Sequence, residues 1–136
     1  MKEKKILIVD DDPDILNIYK HFLKGIVSEI VTTQDPLEVL ELLKLQKFDL
    51  LLSDVLMPQM NGIELTKKVH DLYPSLPIIV CSEGGSTDAK ELVASIVMNK
   101  AISFGAVFAL KKPFKKATVQ EAVKSILEGE IPDQKN

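Results

Sequence analysis

The chain is poor in the features that mark several broad classes of protein. It has one cysteine, Cys81, among 136 residues, which excludes an intramolecular disulfide and makes a reducing, cytoplasmic compartment the simpler inference. Cys81 lies inside Ile78-Ile79-Val80-Cys81 and reads as a small buried hydrophobe. No apolar run is long enough to span a bilayer. The start, Met1-Lys2-Glu3-Lys4-Lys5, is charged, but the apolar stretch after it ends at Val9 and runs into three acids, unlike a secretory signal. The net charge of -3 arises from intermixed Lys and Glu. There is therefore no basic stripe for direct nucleic-acid binding and no acidic tail. Internal repeats, low-complexity segments, a Gly-rich phosphate loop and a dinucleotide fingerprint are absent too. Asp10, Asp12 and Asp14 begin like a calcium loop, but Ile15 and His21 stand where that loop needs Gly and Glu. His21 and His70 occur singly on predicted helices with no partner motif.

What the chain does have is 46% hydrophobic residues, enough for one core and one domain, placed at residues 1–128 with a polar tail at 129–136. Short apolar runs alternate with amphipathic stretches, the pattern of βα units around a parallel sheet. Strands are predicted at Lys5 to Val9, Ser28 to Thr32, Asp49 to Ser53, Ile78 to Cys81 and Val107 to Lys111. Four are nearly continuous in apolar residues, as expected of strands covered on both faces. The second carries Ser28, Glu29 and Thr32 and is the candidate edge. Asp12-Pro13 and Asp35-Pro36 each supply an N-cap oxygen and a first-turn proline for the first two helices. The third helix runs from about Ile63 to Leu72, the fourth from Thr87 to about Ile102 and the fifth from Lys116 to Leu127. Right-handed crossovers permit a flavodoxin-like, doubly wound five-stranded sheet of order 2-1-3-4-5.

That order makes the first and third strands neighbours. Both stop on aspartate, at Asp10-Asp11-Asp12 and at Asp54, so Asp10, Asp11 and Asp54 converge at the crevice where such sheets bind ligands. Two carboxylates about 4 Å apart repel by roughly 4 kcal/mol at an effective dielectric of about 20. The cluster calls for a cation, a proton or a basic side chain, and a divalent metal is the natural answer. Asp12 is assigned to the helix cap because Pro13 follows it.

Four segments in this order resemble the receiver domain of two-component response regulators over nearly the whole chain. They are Ile6 to Pro13, Asp49 to Gly62, Pro77 to Ser82, and Gly105-Ala106 followed by Lys112-Pro113-Phe114. The resemblance implies that Asp54 accepts a phosphoryl group from a sensor histidine kinase or histidine phosphotransfer protein, and that the modified domain signals to a downstream protein rather than acting as an enzyme. It implies Mg2+ as cofactor, with Asp11 ligating directly, Asp10 mainly through water, Asp54 as a further ligand and the Leu56 carbonyl supplying another oxygen. Lys112 would pair with a phosphoryl oxygen, Ser82 would donate its hydroxyl to one, and Pro113 would follow a cis peptide bond. A carboxylate, ionised at neutral pH, needs no adjacent base to act as nucleophile. Magnesium suits one or two carboxylates together with phosphate oxygens. With no residues left for an output domain, the expectation is a stand-alone receiver.

The sequence departs from the family in three places. The stretch from Ser82 to Lys112 is longer by roughly two helical turns. Glu83 takes a place usually held by a small residue beside the pocket. Ala109 stands where most relatives carry Tyr or Phe, and the adjacent Phe108 points to the opposite face of the strand. The lengthened fourth helix has more apolar residues than one buried stripe needs, in Leu92, Val93, Ile96 and Val97. The surplus suits signal output or a homodimer through that helix; the alternative is that it covers a larger core. The alternative reading is an atypical receiver acting as a phosphorylation-independent interaction module. Apolar Leu56 and Gly84 offer few groups to orient an attacking water, so an aspartyl phosphate is expected to persist.

Overall fold

A computed structural model describes residues 3–55, 61–83, 88–112 and 115–130, without the side chains of 83, 88 and 90. Among them, strands and helices alternate as β1 (Lys5–Val9), α1 (Pro13–Leu23), β2 (Glu29–Thr33), α2 (Pro36–Leu45), β3 (Leu50–Asp54), α3 (Gly62–Leu72), β4 (Ile78–Glu83), α4 (Asp88–Ser103), β5 (Phe108–Lys112) and α5 (Lys116–Leu127). The sheet order is β2-β1-β3-β4-β5, with every neighbouring pair parallel. This is the doubly wound arrangement that the alternation predicts, and β2 is an edge strand, with Glu29 exposed and Ile30, Val31 and Thr32 half-buried.

The continuous apolar strands are explained by two cores, one on each face. On one face Ile6, Ile8, Leu50, Leu52, Ile79 and Leu110 pack with Leu16 and Tyr19 of α1 and Val119 and Val123 of α5. On the other, Leu7, Val9, Leu51, Ile78 and Val80 pack with Val39 of α2, Leu65 and Val69 of α3, and Met98 and Ala101 of α4. The capping oxygens work as expected: Asp12 accepts from the Asp14 amide and Asp35 from the Leu37 amide, both at 2.9 Å. Asn61 does the same for the Glu64 amide.

Strand ends are where the sequence pattern and the structure differ. β2, β3 and β5 begin and end one residue later than the apolar runs, and β4 continues to Glu83. Side chains turn polar at the rim of the sheet, whereas backbone pairing persists through Val9 with Thr33, Asp54 with Cys81 and Glu83 with Lys112. Asp54 is therefore the last residue of a strand and not the first of a turn. The long α4 buries Ala94, Met98 and Ala101 and leaves Leu92 63%, Val93 59% and Ile96 57% exposed. Val97, expected among the surplus, instead packs half-buried against the core. No helix among the described residues is long and apolar enough to cross a membrane.

Candidate functional site

The carboxyl ends of β1, β3, β4 and β5 meet at one rim. The Asp10 amide donates to the Thr33 carbonyl at 3.2 Å, holding the residue after β1 against the end of β2. Its Oδ1 accepts from the Asp12 amide at 2.9 Å, and its Oδ2 faces the Lys112 ammonium at 3.0 Å. Lys112 Nζ also lies 3.5 Å from Oδ1 of Asp54. Asp10 and Asp54 are buried and Asp11 is exposed, and one carboxylate oxygen from each lies within 4.8 Å of the others. The strand order expects these acids at one rim with Lys112 across the crevice, and the structure brings all four together.

Burial sets the electrostatics of this cluster. It pushes the Asp54 carboxyl up to about 6; Lys112 opposes the rise, and Asp10 and Asp11 add to it. Asp10 is also raised, because burial outweighs the Asp12 amide and the Lys112 charge that favour its ionised form. For Lys112 burial works against the ammonium, yet Asp54 and Asp10 together hold its pKa above the ordinary value. One ammonium shared between two buried acids satisfies neither fully. A dication would supply the missing positive charge, and an all-oxygen carboxylate set fits a hard ion of the magnesium type.

Ser82 is buried on β4, one residue beyond the Cys81 that pairs with Asp54. Leu56, expected to offer a carbonyl, lies outside the described residues, as do Gly84 and Pro113. Glu83 is described only in its backbone, which pairs with Lys112. Phe108 and Ala109 do face opposite cores, Phe108 toward α1 and α5 and Ala109 toward α3 and α4.

Several supporting contacts escaped the sequence reading. Gly62 lies so close under the end of β3 that a Cβ there would run into the Asp54 carbonyl and the Val55 Cα. The fully buried Tyr19 hydroxyl sits 2.6 Å from Cys81 Sγ, tying α1 to β4 directly behind the acids. Lys111 pairs with Glu91 of α4 at 2.8 Å. Asn61-Gly62 was readable as a turn; the other two link distant elements and carry no local signature.

Residues 6–124 match the family described as response regulator receiver domain. The transcriptional regulatory protein GlrR of Escherichia coli K12 is 30% identical over 131 residues, spanning 96% of this chain and 28% of that protein. The chemotaxis protein CheY of Halobacterium salinarum is 28% identical over 124 residues, 91% of this chain and 97% of CheY. The crystal structure of a CheY-like receiver domain protein from Methanospirillum hungatei JF-1 superposes with a TM-score of 0.78 at 29% identity, covering 94% of this chain and 96% of that one. The chain thus spans under a third of one curated relative and nearly all of another.

Proposed function

The chain belongs to the response regulator receiver domain family of two-component signalling, and on that premise we propose that Asp54 accepts a phosphoryl group from a phosphohistidine of a sensor histidine kinase or histidine phosphotransfer protein. The observation that carries this reading is the convergence of Asp10, Asp11 and Asp54 within 4.8 Å beside the half-buried Lys112 ammonium. In the transfer, an Asp54 oxygen bonds to phosphorus, the phosphorus–nitrogen bond of the donor breaks, and its electron pair stays on the departing imidazole. With its pKa near 6, Asp54 is mostly ionised at neutral pH and needs no base to remove a proton. Lys112 follows the added charge and pairs with a phosphoryl oxygen, and the Ser82 hydroxyl donates to another.

Asp10, Asp11 and Asp54 would hold Mg2+, which when bound offsets the charge of the acids and of the incoming phosphoryl group. The domain then signals by contact with a protein target in the cytoplasm, as a switch and not an enzyme, without direct nucleic-acid contact. The exposed Leu92, Val93 and Ile96 of α4 favour that helix as the contact face, including contact with a second copy.

Incubation with magnesium and acetyl phosphate, read by intact mass, should add one phosphate that is lost in Asp54→Asn. An unlabelled wild type, beside a receiver labelled by the same donor, overturns the reading. It would leave the second one, a phosphorylation-independent interaction module, which Ala109 in place of a switching aromatic favours.

A further inference from the structure

Successive residues of a strand point to opposite faces, and at the end of β5 this alternation joins two systems. Lys112 reaches Asp10 and Asp54. Lys111, one peptide bond earlier, reaches Glu91 in the first turn of α4. Among the described side chains of that helix the buried anchors, Ala94, Met98 and Ala101, all come later than Glu91, and the apolar Leu92, Val93 and Ile96 stay exposed. Ala109, also on β5, has no side chain long enough to swing and report on the site.

We propose that the Lys111–Glu91 ion pair is a latch that holds the start of α4 against β5 while Asp54 is unmodified, and that the state of the acid cluster reaches α4 through the adjacent Lys112. The proposal rests on Asp54 phosphorylation as its trigger. A phosphoryl group adds up to about two negative charges next to the Lys112 ammonium, which must then turn from Asp10 toward the new oxygens. Among the described residues β5 is an edge strand whose backbone pairs with β4 alone, through Ser82 with Lys111 and Glu83 with Lys112. Re-aiming Lys112 therefore moves the residue that carries the latch. By reciprocity, if modification weakens the latch, weakening the latch favours modification.

The pair is roughly half-exposed, so its effect is modest, about two- to fivefold. In the unmodified full chain, Glu91→Gln and Lys111→Met should raise amide hydrogen exchange in the first two turns of α4 by about that factor, while Lys111→Arg, which keeps the pair, should not. With magnesium and acetyl phosphate, both pair-breaking variants should reach a labelled-to-unlabelled ratio higher by a similar factor, and Lys111→Arg the wild-type ratio. Unchanged exchange in both pair-breaking variants overturns the latch. Raised exchange with unchanged labelling overturns its coupling to Asp54, and a wild type that takes no phosphate overturns the phosphorylation reading while the exchange data still decide the latch.

Discussion

The Lys112 ammonium stands 3.0 Å from Oδ2 of Asp10, joining residues 102 positions apart in a pair that is almost wholly buried. Removing one member of such a pair leaves an uncompensated charge in a poorly solvated place, at a cost of about 3 kcal/mol. Lys112→Met keeps the stem and removes the charge. In chelator-treated protein it should lower the urea-derived stability by about that amount, and magnesium should recover more in the variant than it adds to the wild type. A variant as stable as the wild type without metal would show that the ammonium is not what holds the acids.

Asp54 makes the metal-free protein less stable as the pH rises. Its pKa is 3.8 in the unfolded chain and about 6 in the fold. Below 3.8 both states hold the proton; between the two values only the native state does, so stability falls with pH and levels off above about 6. Two units correspond to about 2–3 kcal/mol. Asp54→Asn should therefore stabilise the metal-free protein at pH 7 and change little at pH 4, as measured by denaturant melts at both values. Equal stabilities at pH 7 would count against the burial cost assigned to this carboxylate.

Much of this architecture is legible because it is local. Apolar runs ending on acids located Asp10 and Asp54, Asp-Pro steps located two helix starts, and the crossover rules brought β1 and β3 together. Strand ends are not legible in this way, because Thr33, Asp54 and Lys112 are strand residues by backbone pairing alone. The surplus on α4 could be read by counting, but that Val97 packs inward while Leu92, Val93 and Ile96 do not depends on where the sheet lies. Tyr19 with Cys81 and Lys111 with Glu91 join elements 62 and 20 residues apart, and no periodicity encodes such pairs.

Gly62 looks like an ordinary turn residue in sequence, yet the chain needs it for close approach. A Cβ there meets backbone atoms of Asp54 and Val55, which cannot swing aside as a side chain can. Gly62→Ala should destabilise by about 2 kcal/mol and, by displacing the end of β3, slow Asp54 labelling even under conditions where the variant is fully folded. Circular dichroism melts and intact-mass labelling separate the two effects. Unaltered labelling in a folded Gly62→Ala variant would mean that the nucleophile tolerates the shift.

Cys81 offers a way to watch the whole site from inside the core. It is fully buried, and burial pushes its thiol up to about 12, with the Tyr19 hydroxyl 2.6 Å away acting in the other direction. A thiol that is both inaccessible and un-ionised reacts only when the fold opens. Iodoacetamide should label it at once in denaturant and very slowly in native buffer. Tyr19→Phe removes one buried hydrogen bond, costs about 1 kcal/mol and so speeds native labelling about fivefold. When opening is global, anything that binds only the folded state slows labelling in proportion to its binding. Magnesium at about 100 times its dissociation constant should then slow Cys81 labelling about a hundredfold, and Asp54→Asn should blunt that protection. Magnesium-independent labelling would place the opening in a local fluctuation of α1 away from β4, and would separate the core around Tyr19 from the acids in front of it.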